Sequence, residues 1–151
     1  MSGFFLTSTS MDRKKLFKIL AYLIFLLFLL NYVASKFYWY FSIWWVDMPM
    51  HFLGGLCAGF AVIWFLSFKK LSFDLLFSTQ AVWNFIFKIF LGVLLIGVLW
   101  EFFEILFNNI IAQNSFNIFD TISDVFFDLA GGIFAILYFL KQSTPKKGIT
   151  V

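Results

Sequence analysis

"LFKILAYLIFLLFLLNYVA", residues 16–34, is an apolar run broken only by Lys18 near its start and Asn31 near its end. A helix needs roughly 20 predominantly apolar residues to cross the hydrocarbon core of a bilayer, and this run meets that requirement. Asp12, Arg13, Lys14 and Lys15 precede it. A secretory signal peptide cut after "VAS" is the competing reading, but its apolar core would be long for that purpose and further spans would still remain. The whole chain is built in the same way. Of 151 residues, 62% are hydrophobic, 24% aromatic and only 13% charged, a balance that soluble domains do not have. The composition therefore predicts an all-α polytopic membrane protein, with four transmembrane helices in a small bundle.

The remaining spans follow in order at about 48–68, 82–110 and 119–140, leaving a basic tail at 141–151 and no linker long enough to separate two domains. Residues 1–151 thus read as a single membrane domain. Between the first two spans, "FYWYFSIWW" (37–45) has seven aromatic residues in nine, the composition of an interfacial belt, and no chemistry is placed on these rings. Asp47 and Pro49 suit the first turn of the second span. Gly55 and Gly59 form a GxxxG pair on it, offering a face for close helix approach or for oligomerisation. Gly131 and Gly132 in the fourth span read as packing positions.

Basic residues set the topology. Ten of the eleven Lys and Arg fall in the amino-terminal cluster, in the connection after the second span with Lys88, or in the tail, and Lys36 alone lies on the other side. The positive-inside rule then makes both termini cytoplasmic in a cell (inner) membrane, and turns the aromatic belt and "AQNSFN" (112–117) outward. The charge pattern is that of a membrane topology, and no nucleic-acid partner is expected; membrane lipids are. Cys57 is the only cysteine, which excludes an intrachain disulfide, a cysteine-based zinc site and a CxxC redox pair.

The acids are distributed differently. "DTISDVFFDLAGG" (120–132) places Asp120, Asp124 and Asp128 four residues apart, roughly one helical turn each, within an otherwise oily stretch. "DMPMH" brings Asp47 and His51 one turn apart, and "WEFFE" stacks Glu101 and Glu104 on one face. Under the predicted topology, six of the eight acids meet the only histidine in the outer half of the membrane, all except Asp12 and Asp74. Carboxylates at that depth are costly and mark functional sites. Protons, a divalent cation or a water-filled cavity must offset their repulsion. Carboxylates with one imidazole suit Mg, Mn, Fe or Zn. Candidate metal ligands are Asp47, His51, Glu101, Glu104, Asp120, Asp124 and Asp128; His51, Glu104 and Asp124 are the candidate catalytic residues.

"DMPMHFLGG", "WEFFE" and "DTISDVFFDLAGG", in this order, resemble motifs of the VanZ-like group of small bacterial membrane proteins and, still more, of the YjdF-like inner-membrane proteins. The likeness spans residues 47–132 and implies that Asp47, His51, Glu101, Glu104, Asp120 and Asp124 are the family's polar positions, with Asp128 matching less uniformly. Met48 stands where VanZ-like proteins usually carry Lys, and the Arg often found between their second and third motifs is absent. The namesake is associated with resistance to a glycopeptide antibiotic, and the resemblance implies architecture and site more than reaction.

The leading expectation is an outward-facing metal site that binds or modifies a lipid-linked or cell-envelope substrate. Two others stay open: a proton- or cation-coupled transport component, and a non-catalytic assembly subunit whose polar cluster only fixes helix register.

Overall fold

The computed structural model describes residues 13–67, 79–107 and 117–143. The chain order is α1 (Arg13–Lys36), α2 (Trp39–Ser42), α3 (Asp47–Leu66), α4 (Thr79–Phe107) and α5 (Ile118–Ser143). All but the short α2 are long and apolar enough to cross a membrane, and no strand occurs among the described residues. The four expected spans are therefore present. Asp12, the connection holding Lys69, Lys70 and Asp74, most of "AQNSFN" and the tail beyond Ser143 lie outside the described residues.

Local chemistry accounts for the helix ends. Pro49 and Asp47 fall in the first turn of α3, where backbone N–H groups have no intrahelical acceptor, so the proline forfeits no bond and the carboxylate faces the positive end of the helix dipole. Asn117 caps α5, its side-chain Oδ1 accepting the Phe119 N–H at 3.1 Å. Lys36 and Lys141 lie in the last turns of α1 and α5, where positive charge is favoured. Between α1 and α2 the chain turns at Tyr38, the one non-glycine residue with positive φ (57°) among the described residues. In the belt that follows, Phe41 and Trp44 face away from the bundle, 89% and 81% exposed.

α3 is the centre of the bundle. It packs most extensively on α5 and also touches α1 and α4, while α4 packs in turn on α5. Residue numbers rise together along the α3–α5 contact, from Gly55 against Asp128 and Gly131 to Gly59 against Gly132 and Ala135, so these two helices run parallel. α4 runs the opposite way, with Gly92 against Val62 and Phe85 against Phe139. α1 is antiparallel to α3, its Phe17 ring 6.1 Å from Trp64. Small residues make the parallel pair possible: a Cβ on Gly55 would overlap the Asp128 backbone, and one on Gly131 would overlap the Phe52 carbonyl. The Gly55/Gly59 face, read as available for oligomerisation, is thus covered by α5 of the same chain.

Interior character divides along the bundle. Toward the α1 start and the α5 end, Ile63, Phe85, Ile89, Val93, Ala135 and Phe139 form a closed apolar core joined by Leu16. The other end buries acids. Large apolar side chains such as Phe25, Phe28, Phe87 and Phe126 cover the outside, a surface suited to membrane lipids rather than to water.

Candidate functional site

His51 projects from the second turn of α3 into the space between α4 and α5, where it is 6% exposed. Each edge of its ring meets two carboxylates. Nε2 lies 3.7 Å from Asp47 Oδ1, one turn earlier on α3, and 3.9 Å from Asp124 Oδ1 on α5. Nδ1 lies 3.5 Å from Asp128 Oδ2 on α5 and 3.9 Å from Glu101 Oε1 on α4. Glu101, Asp124 and Asp128 are buried, and Asp47 is partly open. The parallel register of α3 and α5 brings Asp124 and Asp128 to opposite sides of one imidazole.

Two ligand sets follow from this geometry. Asp47, His51 and Asp124 offer three donor atoms within 4.8 Å of one another, and so do His51, Glu101 and Glu104. Either set could hold a metal ion once its donors lie within about 4.4 Å of one another, the widest spacing at which two atoms share a cation about 2.2 Å from each. Glu101 adds an independent observation. Its Oε1 is fully buried, points toward His51 and has no hydrogen-bond partner among the described residues. Buried carboxylate oxygens are costly to leave without a hydrogen bond, so a proton, the facing imidazolium or a bound cation has to offset this one.

The electrostatics point the same way. Five carboxylates surround one imidazole, which can contribute at most one positive charge. Among the described residues of α3–α5 the only basic side chains are Lys88 and Lys141, both toward the opposite end of the bundle. Among the described residues no Lys or Arg pairs with Asp47, Glu101, Asp124 or Asp128, and repulsion between carboxylates is strong where the dielectric is low.

Asp120 is placed differently from the other candidates. It is exposed at the start of α5, and no ion pair joins it to His51. Each four-residue step turns a helix by about 40° beyond a full circle, so a triple-aspartate stripe drifts by about 80° from end to end. Asp124 and Asp128 face the imidazole, and Asp120 lies at the rim. Asp128, the least regular match to the motif, has the shortest approach to His51.

The cluster opens into a cavity of about 710 Å³ between α1, α3 and α4. Two polar residues that sequence reasoning passed over line it, Asn31 of α1 and Tyr40 of α2. Asn31 had a legible signal as the only amide in the first apolar run. Tyr40 had none, because its composition is that of an anchoring belt. Burial first, then the negative charges of Asp47 and Glu104, push the Tyr40 phenol above its ordinary range, which places it within electrostatic reach of the cluster.

Fold and cluster together define a multi-pass membrane protein with a histidine enclosed by acids inside the bundle. Over residues 3–144 the chain matches the family described as "Predicted membrane protein (DUF2238)", and it belongs to that family. The match supports membership of a membrane-protein family without pointing to the VanZ-like or YjdF-like groups specifically. No curated protein and no solved structure matches the chain.

Proposed function

We propose that the protein holds a divalent cation between α3, α4 and α5 in the outer half of the cell (inner) membrane, and uses it to bind or modify an anionic lipid-linked or cell-envelope substrate. The observation that carries this reading is the enclosure of His51 by carboxylates, four of them 3.5–3.9 Å from its ring nitrogens, with the buried Glu101 Oε1 making no hydrogen bond. Asp47, His51 Nε2 and Asp124 form one ligand set, while Asp128 and Glu101 face the opposite ring nitrogen. A ligating histidine ordinarily donates its other N–H to a carboxylate, which fixes its tautomer and orientation. Glu104, half-buried and lining the cavity, is the acid best placed to exchange a proton with a substrate. A bound cation supplies charge for a phosphate or lowers the pKa of a coordinated water. Mg, Mn, Fe and Zn all suit an oxygen-rich set with one imidazole.

Two observations weigh against the other readings. Among the described residues of α3–α5, no acid lies beyond Asp128 toward the Lys141 end, so a carboxylate relay across the bundle has no second half. A register-fixing role would be served by satisfied hydrogen bonds, whereas Glu101 Oε1 makes none. Elemental analysis of the purified full-length protein tests the proposal: a divalent metal near one per chain is expected, lost in His51→Ala and Asp124→Asn. Metal-free wild-type protein that keeps its content at zero after incubation with Mn²⁺ and Zn²⁺ would sink it.

A further inference from the structure

The acid cluster occupies only one end of the cavity. α1 and α4 both pack on α3, yet they leave a trough between them that runs away from the cluster toward the middle of the bundle. On α3 the lining continues from Asp47 to Ala61, about 21 Å along the axis at the α-helical rise. That covers more than half of a hydrocarbon core of roughly 30 Å. The two ends differ in chemistry.

At the cluster end the lining is polar, with Asp47, His51 and Glu104 joined by the Tyr40 hydroxyl and the Asn31 amide. Ser35 Oγ donates to Asn31 Oδ1 at 3.5 Å, which leaves the Asn31 NH₂ as a donor for something else. Beyond them the trough is hydrocarbon. Its floor on α3 is Gly54, Ala58 and Ala61, small residues at i, i+4 and i+7, and its walls include Leu20, Ile24 and Ile96. Larger side chains on that floor would close the trough, just as Ile63, Phe85 and Phe139 close the interior on the other side of α3. The glycines of α3 therefore serve two purposes: Gly55 and Gly59 admit α5, and Gly54 lines the trough.

We propose that this trough receives one hydrocarbon chain of a lipid phosphate, whose head group reaches the cation held by the acid cluster. The inference rests on the metal reading above and names the substrate class of that site. An anionic head is required by the donors that face the polar end, namely the cation, the Tyr40 hydroxyl and the Asn31 amide. Without the cation, the five carboxylates would repel it. A chain is required by the rest of the lining, and the volume lies within the range of pockets that enclose one ligand of moderate size.

The test uses full-length protein in maltoside micelles, a phosphorus-free medium, loaded with Mn²⁺. Dodecyl phosphate should give a phosphorus hyperfine coupling to the bound Mn²⁺ at a concentration at least about tenfold lower than inorganic phosphate, the gain from burying only a few methylenes. Ala61→Trp fills the trough floor. Ile24→Trp fills it from a half-exposed wall position where a bulky residue is readily accommodated. Both should remove the preference for dodecyl phosphate while leaving the Mn²⁺ titration and the response to inorganic phosphate unchanged. Equal potency of the two phosphates, or a preference that survives both tryptophans, would overturn the inference and leave the metal reading intact. Protein that takes up no Mn²⁺ overturns the metal reading, and this inference with it.

Discussion

Gly55 on α3 stands directly against the backbone of Asp128 on α5, with no room for a methyl group between them. The contact that brings the two helices together is therefore the same one that sets the height of the Asp128 carboxylate beside His51. Gly54, one position earlier, is different: a Cβ there would meet Asp128 Oδ1 at 3.5 Å, an ordinary contact. Gly55→Ala should destabilise the bundle by about 1–3 kcal/mol through forced separation of α3 and α5. Gly54→Ala should be neutral, or stabilising by up to about 1 kcal/mol through helix propensity. Unfolding of the two variants in detergent, followed by circular dichroism, checks the contrast; similar losses in both would contradict the close approach.

The aspartates of α5 should separate cleanly by position. Asp124→Asn replaces a buried donor 3.9 Å from His51 Nε2 and should abolish stoichiometric metal binding. Asp120→Asn changes an exposed residue and should lower metal affinity by no more than a few-fold, as expected for a screened charge at the rim. Elemental analysis of the two proteins, purified side by side, reads the difference, and equal loss in both would place Asp120 inside the site.

Tyr40 reports on the charge of the cluster. Burial and the neighbouring Asp47 and Glu104 raise its pKa above the reference value of 10.0, so the folded protein retains that proton more firmly than the unfolded chain. Its contribution to stability is thus present below pH 10 and is lost as the pH climbs through the raised value. A divalent cation bound near Asp47 and Glu104 opposes their charge and should shift the Tyr40 titration downward. Ultraviolet difference titration against Tyr40→Phe, with and without Mn²⁺, should show the shift; a metal-insensitive tyrosinate signal would count against a cation at this end of the cavity.

Ligand binding to the folded state should stabilise the protein by mass action. At a free cation concentration about 100 times the dissociation constant, the gain is about 2.7 kcal/mol. Chelation should lower the apparent Tm, Mn²⁺ should restore it, and acidification should weaken the effect because protons compete for carboxylate and imidazole ligands. In His51→Ala the metal-dependent increment should vanish. Thermal unfolding that ignores both chelator and cation in the wild type would contradict the site.

Sequence alone revealed the spans because four apolar runs, each long enough to cross a bilayer, account for most of the chain. The runs at about 16–34 and 119–140 correspond to helices Arg13–Lys36 and Ile118–Ser143, each extended into polar flanks that hydropathy does not register. The convergence of acids on His51 was legible from charge placement, since a bundle of antiparallel neighbours returns alternate helix ends to one level. What the sequence could not supply was azimuth. Which of Asp120, Asp124 and Asp128 faces the imidazole depends on the rotation of α5, and that rotation is set by Gly55 and Gly131 meeting backbone across a parallel contact. The short helix Trp39–Ser42 was equally hidden, because a left-handed Tyr38 carries no residue-type signal.

The parallel pairing of α3 with α5 also bears on how the chain is made. A ribosome delivers α3 to the membrane with Asp47 and His51 already on it, then α4 with Glu101 and Glu104, while their remaining partners are still to be synthesised. Only α5, carrying Asp124 and Asp128, encloses the histidine. Until α5 emerges, α3 keeps an uncovered small-residue groove and an imidazole without those two carboxylates, so closure of the cluster is a late step of assembly.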